Sequence, residues 1–125
     1  MMKKINTANA PAAIGPYSQG IRAGNMVFVS GQLPIDPATG VFPEGDIKVL
    51  TAQSLNNIKA ILEEAGGSME NIVKTTIFLT DLGCFGDVNA VYGSFFGDVP
   101  PARSCVEVSA LPKGGVIEIE AIAYI

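Results

Sequence analysis

At 125 residues, 48% hydrophobic and only 16% charged, the chain has room for one core and too little charge to coat a surface in the ordinary way. A net charge of −4, a pI near 4.6 and no basic run argue against nucleic acid as a partner, because such binding rests on neutralising phosphates. Histidine is absent and the two cysteines, Cys84 and Cys105, stand far apart, which removes the Ser-His-Asp triad, the HExxH zinc site and the His/Cys/Cys zinc site of nucleobase deaminases.

The N-terminal stretch MMKKINTANAPAAIG starts basic but is interrupted by Asn6, Thr7, Asn9 and Pro11, so it lacks the apolar stretch of a secretory signal. No apolar run approaches the ~18 residues that cross a bilayer. Together with the sparse cysteines this leads to the expectation of a cytoplasmic protein without a membrane partner. Mean hydropathy is positive, at +0.36, so apolar surface is expected to be hidden between copies of the chain.

In chain order, YSQGIRAGNMVFVSGQLP reads as a hairpin, with strands near 18–23 and 26–32 around the turn AGN. Gly31 falls inside the second strand, where glycine marks a bulge or a close approach of backbone to something else. IDPATGVFPEG is a loop. From Asp46 the pattern turns helical: Leu55, Ile58, Ile61, Leu62 and Ala65 recur at three- and four-residue spacings, and Gly66-Gly67 stops the helix. IVKTTIFLT is a strand of β-branched residues. Phe85, Val88, Val91, Tyr92 and Phe95 form the stripe of a second helix, weakened by Gly86 and Gly93. Strands near 103–108 and 116–124 close the chain. The order is ββαβαββ, an α+β two-layer fold with a mixed sheet and two helices on one face, over a single domain of residues 1–125.

Alternation along the last two strands places Arg103, Cys105 and Glu107 together, and Glu118 with Glu120, about 6–7 Å apart. Ile117, Ile119, Ala121 and Ala123 suit the side beneath the helices. Arg103, Cys105, Glu118 and Glu120 are therefore expected on the uncovered sheet face. Such a set is either an ion pair across neighbouring strands or an anion clamp beside a general base, since the planar fork of Arg matches a carboxylate. Cys105 is either a small buried hydrophobe or a nucleophile, with no histidine to deprotonate it. Tyr17 is a strand-start aromatic or a pocket donor, and Ser30 and Gly31 are an edge or a ligand contact. Asn89 lies off the apolar stripe and, as an exposed polar residue, needs no explanation.

The stretches NAPAAIGPYSQG, VSGQLP, KTTIFLTDL, VNAVY, PARSCVEVSALPKG and IEIEAIA, in this order over nearly the whole chain, closely resemble the YjgF/RidA family of reactive-intermediate deaminases. The resemblance implies a chorismate-mutase-like fold and a homotrimer with ligand sites between subunits. It also implies hydrolysis of 2-imino acids, chiefly 2-iminobutanoate and 2-iminopropanoate, to 2-oxo acids and ammonia, without metal or organic cofactor. By the same resemblance Arg103 would bind the substrate carboxylate and Glu118 would hold the attacking water. Tyr17, Ser30, Gly31, Asn89 and Cys105 would line the substrate pocket. Burial would raise the pKa of Glu118 and a nearby Arg103 would oppose it. Two rivals stand beside this expectation: a non-catalytic module binding small carboxylates such as 2-oxo acids, and a ribonuclease or translation inhibitor, which the acidic composition disfavours.

Overall fold

The computed structural model describes residues 1–125 and arranges them as βββαβαββ. Six strands form one sheet: β1 (Met2–Ile5), β2 (Gly20–Ala23), β3 (Met26–Gln32), β4 (Ile72–Leu79), β5 (Ala102–Glu107) and β6 (Ile117–Tyr124). Their order is β1-β2-β3-β6-β4-β5, antiparallel throughout except for the β4–β5 pair. The helices are α1 (Ile47–Glu64) and α2 (Phe85–Gly93), and α2 is the crossover that a parallel β4–β5 pair requires. The two-layer α+β architecture is as expected from sequence, with β1 added at one edge. Its residues MKKI are short and lysine-rich, the composition of an edge strand that resists pairing with other chains, and only Ile5 is buried.

The α1 helix begins where the Asp46 carboxylate accepts the N–H groups of Lys48 and Val49, at 3.0 and 3.2 Å, and ends before Gly66, whose φ of +89° suits glycine. Its fully buried Leu55, Ile58, Ile61 and Leu62 join one core with Val27, Ile77, Ile119 and Ala123 of the sheet. Each such large side chain contributes about 1.5–3 kcal/mol by leaving water. The α2 helix is shorter than its apolar stripe, because the chain leaves it at Gly93; Phe95 and Phe96 pack on the core from beyond its end. No helix is long and apolar enough to cross a membrane.

The opposite face of the sheet has no cover. Cross-strand register aligns Ile21, Phe28 and Ile122 in one row and Val106, Phe78 and Glu118 in another, with Phe28 and Val106 still 45% and 43% exposed.

Register also corrects one expectation. Arg103 is opposite Thr75 and Cys105 opposite Ile77, both fully buried under the helices, whereas Glu118 is opposite Phe78 on the open side. Arg103 and Cys105 therefore stand on the helix side of the sheet, and Glu118 and Glu120 on the other. The ion pair across neighbouring strands falls too, since β4 separates β5 from β6. The cause is the edge position of β5. The helix layer ends there, so a long cation can stand on the helix side and still reach water.

Candidate active site

On the open face, the β3 bulge, the β6 carboxylates and the segments around Tyr17 and Lys113 enclose a cleft of about 650 Å³. It brings together Tyr17, Ser30, Gly31 and Glu118, four of the residues singled out from sequence. Gly31 lies where the β3–β6 register shifts, and a Cβ on it would stand 2.8 Å from Glu118 Cδ and 3.1 Å from Oε1. Only a glycine lets the carboxyl lie against the strand. Ser30 faces inward to structure as well: its hydroxyl donates to the Ser18 carbonyl at 2.6 Å and its N–H to the Gln19 carbonyl at 3.0 Å. These bonds fasten β3 to the segment that carries Tyr17, which is half exposed at the cleft.

Two buried carboxamides hold the cleft walls. The Gln19 side chain accepts the Thr7 N–H at 2.7 Å and donates to the carbonyls of Thr7, Ala10 and Pro11. Asn57 of α1 donates to the carbonyls of Leu33 and Ile35 at 3.2 and 2.9 Å, while Gln53 donates to its oxygen. Pro11, Leu33 and Ile35 all line the cleft. Burial pushes the Glu118 carboxyl above its ordinary range, and the neighbouring Glu120 charge adds to the rise. The opposing influence of Arg103 anticipated from sequence is absent within one chain, because the two side chains lie on opposite faces.

On the helix side, Arg103 Nη1 donates to Asn89 Oδ1 at 2.6 Å, and its guanidinium carbon lies 5.2 and 5.0 Å from the ring centroids of Phe85 and Tyr92. Asn89 is thus half-buried and partnered, not an unexplained exposed polar group. No carboxylate pairs with Arg103; the one ion pair of the chain, Lys48–Asp87 at 4.0 Å, is elsewhere. Cys105, half-buried next to the core, has its thiol pushed up by burial, which outweighs the lowering influence of Arg103. The Cys84 thiol is raised as well, by burial and by Asp81, whose carbonyl accepts its S–H at 2.9 Å. Both sulfurs are held as neutral thiols, weak nucleophiles. No group of three or more His, Cys, Asp or Glu side chains could hold a metal ion.

The residues singled out from sequence therefore fall into two groups: Tyr17, Ser30, Gly31 and Glu118 in the open-face cleft, and Arg103, Asn89 and Cys105 at the helix-side edge. Sequence reasoning passed over Gln19, Asn57, Phe85 and Tyr92. The last two belong to the apolar stripe, yet the spacing 85, 89, 92 also lays them with Asn89 along one side of α2, a signal present in the sequence. The buried amides carried none, since a lone Gln or Asn reads as surface.

A bulged strand cradling a raised carboxylate on one sheet face, and an edge guanidinium without an ion-pair partner on the other, mark a small two-layer α+β protein. The chain belongs to the YjgF/RidA family: the family model described as Endoribonuclease L-PSP matches residues 7–125. It is 56% identical to the 2-iminobutanoate/2-iminopropanoate deaminase of Escherichia coli strain K12, over 98% of each chain. The solved structure of the YjgF gene product of E. coli superposes with a TM-score of 0.94 at 54% identity, covering 98% of both chains. That of E. coli TdcF with bound serine gives 0.94 at 49% identity, again over 98% of both.

Proposed function

We propose that the chain, acting as one domain over residues 1–125, hydrolyses 2-iminobutanoate and 2-iminopropanoate to the 2-oxo acids and ammonia. It does so as a cytoplasmic homotrimer, with neither metal nor organic cofactor. The observation that carries this is that one chain holds both an unneutralised Arg103 and a raised Glu118, and its 56%-identical relative is named for that reaction. Arg103 anchors the substrate carboxylate through its fork of N–H donors. Glu118 orients a water and takes one of its protons as the oxygen bonds to the imine carbon. The same proton then passes to the nitrogen, giving a carbinolamine; Glu118 next takes the hydroxyl proton and returns it to the nitrogen, so that the C–N bond breaks to release ammonia and leave the C=O. Water supplies the oxygen and both hydrogens that end on product, so no oxidant or reductant enters. Tyr17, Ser30, Gly31 and Cys105 complete the pocket, Ser30 and Gly31 by shaping β3, and Asn89 borders it through its bond to Arg103.

Because the two groups lie on opposite faces, a working site takes Arg103 from one subunit and Glu118 from another. The uncovered apolar rows through Phe28 and Val106 favour such an assembly. The direct test follows decay of 2-iminobutanoate made in situ by a threonine dehydratase, with semicarbazide trapping the remainder. Wild type is expected to accelerate decay and Arg103→Ala to lose that acceleration; an inactive wild-type trimer would overturn the assignment.

Non-catalytic carboxylate binding is the second reading, favoured by the similarity to TdcF, whose structure contains serine. It predicts that Glu118→Ala binds 2-oxobutanoate as wild type does while neither protein turns over imine. RNA cleavage, suggested by the description of the family model, meets a chain of net charge −4 and is tested by salt-dependent RNA binding.

A further inference from the structure

Resting on the reading of Arg103 as a carboxylate anchor, we propose that Phe85, Asn89 and Tyr92 form a neutral cradle that pre-orients its guanidinium without quenching its charge. The three residues follow one another along one side of α2, beside the β5 edge. Their contacts differ in kind but not in charge: an amide oxygen at 2.6 Å and two ring faces at 5.2 and 5.0 Å. Tyr92 is itself fixed, because its hydroxyl shares a 2.6 Å hydrogen bond with Thr75, the residue directly opposite Arg103 across the β4–β5 pair. Its ring also packs at 4.7 Å on Phe96. The guanidinium is thus bounded by α2 on one side and tied through Tyr92 to the strand beside its own.

The absence of an acid from this set is what gives the cradle its purpose. Buried or edge arginines are commonly held by carboxylates, but a carboxylate here would compete with the ligand for the same N–H fork. An amide oxygen accepts one N–H and leaves the others free. Ring faces attract the cation through their quadrupoles and cost the ligand none of its donors. An arginine side chain otherwise loses considerable rotamer freedom on binding, and ordering it beforehand lowers that cost. Phe85, Asn89 and Tyr92 are positioning residues, acting through Arg103.

The decisive variant is Asn89→Asp, which keeps an acceptor oxygen in place and adds a charge. It is expected to leave the guanidinium ordered, with resolved 15N Nη resonances as in wild type. The KM for 2-iminobutanoate and the Kd for 2-oxobutanoate should both rise about tenfold, one decade being ~1.4 kcal/mol, while kcat stays within about twofold. Asn89→Ala and Phe85→Leu should instead loosen the group, averaging the Nη resonances and raising KM, and Phe85→Tyr should restore both. Unchanged KM and Kd in Asn89→Asp, or unchanged Nη resonances in both loosening variants, would overturn the cradle while wild-type turnover leaves the deaminase reading standing. A wild type that neither turns over imine nor binds 2-oxobutanoate overturns both at once.

Discussion

Gly31 and Glu118 meet so closely that no side chain fits at position 31 while the carboxyl stays in place. A methyl on Gly31 would fall 2.8 Å from the Glu118 carboxyl carbon, inside any real contact. Gly31→Ala is expected to push the carboxyl out of place and lower kcat by about ten- to a hundredfold, as misplacement of a reacting group does. The fold itself should lose only about 1 kcal/mol or less, because the atoms met belong to a side chain that can swing into the cleft; steady-state rates and denaturant melts on the same protein separate the two effects. Glu118 also links function to stability through its proton. Its folded-state pKa lies above the ordinary carboxylate value because burial and Glu120 disfavour the charge. The folded chain therefore binds that proton more tightly than the unfolded chain. This contribution is fully present below the ordinary carboxylate range and is lost as pH rises through the raised folded value. Glu118→Gln, which stays neutral, is expected to be more stable than wild type at about pH 8 and to converge with it at about pH 4. Imine turnover in the wild type should rise across the same interval as the base form appears. Equal stability differences at both pH values would show that Glu118 is not raised.

At the scale of elements, the cleft is a product of where loops are tied down. Asn57 reaches from α1 to the carbonyls of Leu33 and Ile35, so one buried side chain locates a wall of the cleft relative to the core. Asn57→Ala leaves those carbonyls without their donor and is expected to cost about 1–3 kcal/mol. The amide of Ile35 should exchange faster with solvent, and kcat/KM should fall. Gln53→Ala, which removes only the donor to the Asn57 oxygen, should be milder on all three. Elements of this kind show which parts of the molecule the sequence makes legible. The periodicity of Leu55, Ile58, Ile61 and Leu62 announces α1 because a helix buries one face, and the β-branched run at 72–79 announces β4 for the same reason. Gly31 announced its bulge, since a glycine within a β-branched strand has few other uses. The short lysine-bearing β1 buries only Ile5 and so leaves no pattern to read. The facing of Arg103 was hidden for a different reason. Alternation fixes which residues of β5 share a face but not which face that is, and burial along this edge strand is too uniformly low to say. The family resemblance, not spacing, named the residues of both groups, while their separation is a property of strand order.

That separation has its largest consequence for the whole molecule. Within one chain the sheet stands between Arg103 and Glu118, and no side-chain motion brings the two to one ligand. If both act on the same imine, they come from different subunits, and in the proposed trimer the sites are shared in a cycle. Each subunit lends its guanidinium to one neighbour and its carboxylate to the other. Arg103→Ala and Glu118→Ala should each abolish turnover as pure proteins. Unfolded together in equal amounts and refolded, they should form mixed trimers in which a given site draws its arginine and its glutamate independently. About a quarter of sites would then be intact, restoring about a quarter of wild-type activity in a closed ring with heterologous contacts. A site built within a single chain would give no restoration at any mixing ratio, because every subunit would carry one defect. Restoration that grows with the time allowed for subunit exchange, and disappears when exchange is prevented by crosslinking the pure trimers first, identifies the interface as the place where catalysis occurs.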